Sequence, residues 1–157
     1  MTGRVALVLG GGTGLGRELA WGLTDAGMSV AVIGPSGDEP QVAAALETDG
    51  RRAVAVPAAV AAPAGVSAAF RAAAGTLGPP DLVVHALTDP AALVAAPIAE
   101  TEPSAWDQRC EAVLRGALAC AQAAWEVLQG RGGRIVFVTP TVALTGAAQL
   151  VPYVSAV

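Results

Sequence analysis

Five short apolar runs, each separated from the next by a longer helix-type stretch, constrain this chain more than any other feature. Val5–Leu9 and residues 29–33, 53–56, 82–86 and 135–138 read as strands. They are nearly continuous in apolar character, the signature of strands buried on both faces. Residues 14–26 read as the first helix, with Leu15, Leu19, Leu23 and Ala26 as its apolar stripe, Trp21 off that stripe and Gly27 as its stop. Asp38 reads as the N-cap of a second helix, with Pro40 in its first turn; the helix runs to about Thr48 and turns at Asp49-Gly50. A third spans 63–75 and breaks at Gly78-Pro79-Pro80; a long fourth spans 103–128 and ends at Gly130, Gly132 and Gly133. The remainder reads as a loop leading to Tyr153.

Strictly alternating strands and helices with buried strands require a parallel sheet covered on both faces. Right-handed crossovers then leave a doubly wound, Rossmann-like α/β fold, five strands in order 3-2-1-4-5, as the expected architecture. The 157 residues suit a single domain, 1–157, with one substantial core.

The first strand runs into Gly10-Gly11-Gly12-Thr13-Gly14-Leu15-Gly16, and the first helix starts inside that run. Glycines at a strand-to-helix junction let the chain turn tightly at Gly10, admit a diphosphate against backbone at Gly14 and bring the helix close to the sheet at Gly16. The free amides of the helix start would hold the phosphates. A dinucleotide is the expected ligand; a turn with no ligand is the plainer alternative.

Other classes are disfavoured. Apolar residues make up 54% and charged residues 14%, which excludes a disordered chain. A net charge of -4, with Arg51-Arg52 as the sole basic cluster, argues against a nucleic-acid partner. The uncharged stretch 53–70 contains Pro57 and Pro63 and is mostly alanine, so no membrane span is expected. Cys110 and Cys120 lie on one helix, about 15 Å apart along its axis. They cannot form a disulfide with each other and read as small buried thiols in a reduced, cytoplasmic setting. One histidine and two separated cysteines make no metal site.

The glycine loop resembles that of the short-chain dehydrogenases/reductases, Thr-Gly-x-x-x-Gly-x-Gly, at Gly10, Gly14 and Gly16. The resemblance continues through Asp81-Leu82-Val83-Val84, Trp106-Asp107, Leu114-Arg115-Gly116 and Gly132-Gly133-Arg134-Ile135-Val136 to Tyr153, where that family's Tyr-x-x-x-Lys motif begins. It covers essentially the whole chain and somewhat more than half of the family's usual length. It implies NAD or NADP as cofactor, held by Gly10, Gly12, Thr13, Gly14, Leu15, Gly16, Ser36, Ala59, His85 and Ala86. It also implies a carbonyl or alcohol substrate, and an oligomer formed through helix 103–128, whose apolar stripe is Trp106, Val113, Ala117, Cys120 and Ala124.

Departures from the family pattern concentrate in the chemistry. Leu9 replaces the loop threonine. Pro35 stands where a charged residue selects NAD or NADP, and the neighbouring Ser36 is able to hydrogen-bond to either. Ala59 replaces an aspartate near the adenine, His85-Ala86-Leu87-Thr88 replaces Asn-Asn-Ala-Gly, and Val113 replaces a relay asparagine. Counting back from Tyr153 puts Pro140 at the catalytic serine, with Thr141 one residue away as a substitute hydroxyl. Val157 replaces the lysine. A phenol ordinarily titrates near about 10, a neighbouring cation lowers that value, and Val157 supplies no cation.

The expected outcome is an NAD(P)-binding protein with weak or lost hydride transfer, in which Tyr153 and Thr141 are the candidate catalytic residues. The alternative is a non-catalytic subunit that pairs with a longer homologue. After Tyr153 the resemblance implies the rest of a helix, two more strands and a substrate loop, whereas the sequence ends at Val157. The expectation is therefore a fragment, or a fifth strand covered by another chain. His85 has two open readings, a hydrogen bond to cofactor or substrate and a partly buried ring bonded to backbone.

Overall fold

A computed structural model describes residues 3–48, 52–60, 62–87 and 95–156. The expected turn at Asp49-Gly50, and the positions of Arg51, Thr88 and Val157, lie outside the described residues. Strands β1 (Val5–Leu9), β2 (Ser29–Gly34), β3 (Ala53–Pro57), β4 (Leu82–His85) and β5 (Arg134–Phe137) alternate with helices α1 (Gly14–Asp25), α2 (Glu39–Thr48), α3 (Pro63–Leu77) and α4 (Pro103–Leu128). The strands form one sheet in the order β3-β2-β1-β4-β5, with every described pairing parallel. This is the doubly wound Rossmann-like arrangement expected from the apolar runs.

Alternation along the strands sends side chains to two separate cores. Leu7, Leu9, Ile33 and Val83 face α3 and α4, where they meet Val66, Phe70, Ala73, Cys120 and Ala124. Ala6, Val8, Val30, Val32 and Val84 face α1 and α2, where they meet Ala20, Val42, Ala43 and Leu46. The register lines up Leu9, Ile33, Val56, His85 and Phe137 in one row across the sheet. Every loop that leaves this row starts from the same edge.

Asp81 fastens the opposite edge. Its carboxylate accepts the Val5 N–H at 2.9 Å. Its own N–H donates to the Val5 carbonyl, and its carbonyl accepts from Arg134. One residue thereby ties the N-terminal ends of β1, β4 and β5.

Several expectations need correction. The α1 stripe of Leu15, Leu19, Leu23 and Ala26 is not the buried face. Gly16, Ala20 and Thr24 are buried, Leu15 is 58% exposed, and Leu19 and Leu23 are half-buried at the flanks. The helix start lies so close to the turn that ends β1 that a Cβ on Gly16 would strike the Gly10 carbonyl oxygen. Only small residues fit on that line, and the leucines pack beside it. On α4, Cys120 and Ala124 are buried and Val113 and Ala117 half-buried, whereas Trp106 is exposed and donates its indole N–H to the Ser155 hydroxyl at 2.7 Å. The supposed loop to Tyr153 contains two single-turn helices, α5 (Val142–Thr145) and α6 (Val151–Val154).

Candidate functional site

The row of strand ends leads directly into the glycine loop. Gly10 has φ +89, a left-handed conformation costly for any side chain. A Cβ there would also lie 2.7 Å from the backbone of Ala86. The amides of Gly10 and Gly11 both donate to the Ile33 carbonyl, which ties the loop to β2. The Ala86 N–H donates to the Leu9 carbonyl at 2.8 Å. The loop, the end of β2 and the end of β4 are thus one backbone assembly.

Thr13 is the N-cap of α1, and among the described residues no side chain caps the amides that follow it. Gly14 has φ +50, and a Cβ there would meet nothing within 4 Å. Thr13, Gly14 and Leu15 are exposed. An uncapped helix start with open space at its glycine is the geometry that accepts a diphosphate. A cleft of about 510 Å³ opens beside it, lined by Gly12, Thr13, Gly14, Arg17, Trp21 and Asp38 among others.

The segment after β2 holds a residue that sequence reasoning missed. The Glu39 side chain turns back under the loop before α2 and is 1% exposed. One carboxylate oxygen accepts the Ser36 hydroxyl at 2.7 Å and the Ser36 N–H at 3.1 Å; the other accepts the Gly37 N–H at 2.8 Å. Burial alone would raise its pKa, but these bonds and that of its own amide outweigh it, holding Glu39 below the usual carboxylate value. Gly12 sits directly against this pair: a Cβ on it would collide with Ser36 Oγ and lie 2.6 Å from Glu39 Oε1. The Ser36-x-x-Glu39 spacing, a capping-box pattern, was the available signal.

Ala59 is exposed just beyond β3, and its carbonyl lies against Gly65 at the start of α3. His85 ends β4 with its ring 5.3 Å from that of Phe137. Its Nε2 is buried and has no hydrogen-bond partner among the described residues, so the backbone-bonded reading leaves this atom unexplained. Burial pushes the imidazole pKa down, partly offset by a bond to its own backbone, so the ring is neutral at pH 7. An orphaned polar atom beside an open glycine cradle fits a bound dinucleotide.

The two candidate catalytic residues lie beyond β5. Thr141 is exposed at the N-cap of α5. Tyr153 is buried on α6, which packs against α4. Among the described residues no hydrogen bond joins Tyr153 to Thr141 or to His85. Cys120 is buried, with its thiol pKa pushed up to about 12, and Cys110 is half-buried. No group of three or more metal-ligating side chains occurs among the described residues, and no helix there is long and apolar enough to cross a membrane.

A sequence model of the short chain dehydrogenase family matches residues 4–156. A short-chain type dehydrogenase/reductase of Picea abies is 33% identical over 145 residues, covering 85% of this chain and 52% of the relative. An NADPH-dependent aldehyde reductase-like protein, chloroplastic, of Arabidopsis thaliana is 30% identical over 154 residues, covering 88% of this chain and 56% of that protein. The chain thus spans about half the length of the curated relatives it matches. Among solved structures, a blue fluorescent protein from a metagenomic library, in complex with NADPH, superposes with a TM-score of 0.84 at 28% identity, covering 99% of this chain and 63% of that one. The glycine loop, the sheet order and these matches coincide along the chain, which therefore belongs to the short-chain dehydrogenase family, whose members bind NAD or NADP.

Proposed function

We propose that residues 1–157 form one NAD(P)-binding unit of an oxidoreductase in which hydride transfer is weak or lost. The observation that carries this reading is the uncapped start of α1, with Gly14 open beside it. The amides of residues 14–16 would hold the diphosphate, Gly10, Gly12 and Thr13 would shape its approach, and Leu15 would cover it. Ser36 and Ala59 would border the adenosine end, and His85 and Ala86 the other. Nε2 of neutral His85 is a ready partner for a ribose hydroxyl.

The bound nicotinamide supplies hydride chemistry. Tyr153 Oη would give a proton to, or take one from, a carbonyl or alcohol substrate, and Thr141 would orient it. With Val157 at the lysine position, no cation from that position activates the phenol. A second reading, a non-catalytic subunit that pairs with a longer homologue, is supported by the exposure of Ile135, Val136 and Phe137 on β5.

Titration with NADH or NADPH, followed by fluorescence of the three tryptophans, tests the reading; Trp21 lines the cleft. Saturable binding with slow turnover of a carbonyl panel supports the enzyme. Saturable binding without turnover supports the subunit. Absence of saturable binding by either nucleotide overturns both.

A further inference from the structure

We propose that Glu39 turns Ser36 into a hydrogen-bond acceptor at the adenosine ribose, so that the site takes NAD(H) and rejects NADP(H). The inference rests on the dinucleotide reading above and concerns one end of that site.

An ionised carboxylate can only accept hydrogen bonds. Ser36 has one hydroxyl proton, and Glu39 Oε1 takes it at 2.7 Å. What Ser36 Oγ offers elsewhere is therefore lone pairs, one of which receives the Asp38 N–H at 3.3 Å. Ser36 is exposed, and it stands over Gly12, a residue of the phosphate loop. A ribose 2′-hydroxyl can donate to such an oxygen. A 2′-phosphate, mostly ionised at neutral pH, has mainly acceptors to present and meets an acceptor. Read by residue type alone, Ser36 serves either group; its partner removes that choice.

Charge acts in the same direction. Among the described residues, the cleft beside Gly12 is lined by two carboxylates, Glu18 and Asp38, and by one cation, Arg17, and Glu39 adds a third carboxylate against Gly12. Arg17 is already paired with Glu18 at 3.2 Å. Glu39 is shielded from water, so its charge is screened less than that of a surface group. Acidic groups near the ribose favour NAD, and a 2′-phosphate needs a free cation. The Arabidopsis relative named for NADPH makes this a point where the present chain departs.

The test measures dissociation constants for NADH, NADPH and 2′-deoxy-NADH with the intact chain, Ser36→Ala and Glu39→Gln, each checked by circular dichroism. NADH should bind at least about tenfold tighter than NADPH. Ser36→Ala, at an exposed site that should fold normally, should weaken NADH about fivefold and leave NADPH unchanged. Loss of the 2′-hydroxyl should cost the intact chain the same factor and cost Ser36→Ala nothing more. A folded Glu39→Gln should narrow the preference. Equal affinities for NADH and NADPH, or a Ser36→Ala protein with an unchanged preference, overturn this inference while leaving the dinucleotide reading intact. Failure of both nucleotides to bind overturns that reading and this inference with it.

Discussion

Ile33 on β2 and Ile135 on β5 belong to the same parallel sheet, yet Ile33 is fully buried and Ile135 is 36% exposed. The β1–β2 region is closed by helices on both faces. At the other end, β5 has all four residues exposed and α4 carries exposed Leu114, Leu118 and Trp125. The candidate site residues divide along the same line. Around β1 and β2 stand a complete glycine loop, an uncapped helix start and a hydrogen-bonded Ser36–Glu39 pair. Among the described residues, His85 at the end of β4 lacks a partner for one nitrogen, and Tyr153, beyond β5, has no hydrogen bond to Thr141. The β1–β2 region and the β4–β5 region thus share a backbone scaffold while differing in how fully their side chains are packed and paired.

Loop variants should break this contrast most strongly. Gly10→Ala combines a left-handed backbone with a clash against Ala86, so it should lose about 3 kcal/mol or more by denaturant unfolding and abolish nucleotide binding. Next comes the matched pair: Ile33→Ala should cost about 2–5 kcal/mol, whereas Ile135→Ala should cost less than about 1. Equal losses would mean that β5 is as well packed as β2.

Acid should act on both regions, in separate steps. His85 and Glu39 both have lowered pKa values in the folded chain, so the unfolded chain takes up their protons more readily. Each contribution is complete above the group's ordinary value and is lost as pH falls below it. Thermal midpoints should fall first below 6.5, from His85, and again below 4.5, from Glu39. His85→Asn should remove the first step alone. The smallest effects belong to single atoms. Tyr153→Phe should leave the NADH dissociation constant within about twofold while lowering any carbonyl turnover at least about tenfold. Iodoacetamide, followed by mass spectrometry, should modify Cys110 well before Cys120, whose thiolate burial disfavours.

The sheet was legible because β1 and β2 are unbroken apolar runs and the glycines mark where β1 becomes α1. The buried face of α1 was not: hydrophobicity ranks Leu15 above Ala20, but the closeness of helix and sheet selects the smaller residue. Glu39 was hidden for a related reason. Asp38 satisfies the usual rule for a helix start, which masks the Ser36-x-x-Glu39 spacing by which the next side chain folds back beneath Ser36. In the sequence, Pro140 and Val157 stand out as departures from the family's pattern, whereas the Nε2 of His85, without a partner among the described residues, required coordinates.

The Asp81 clasp has a consequence for how such a chain tolerates change. Because three strands are pinned in register at the rim remote from the glycine loop, replacements at the near rim need not slip a strand. An exchange there can cost stability, as at Gly10 or Ile33, without sliding one strand against its neighbour.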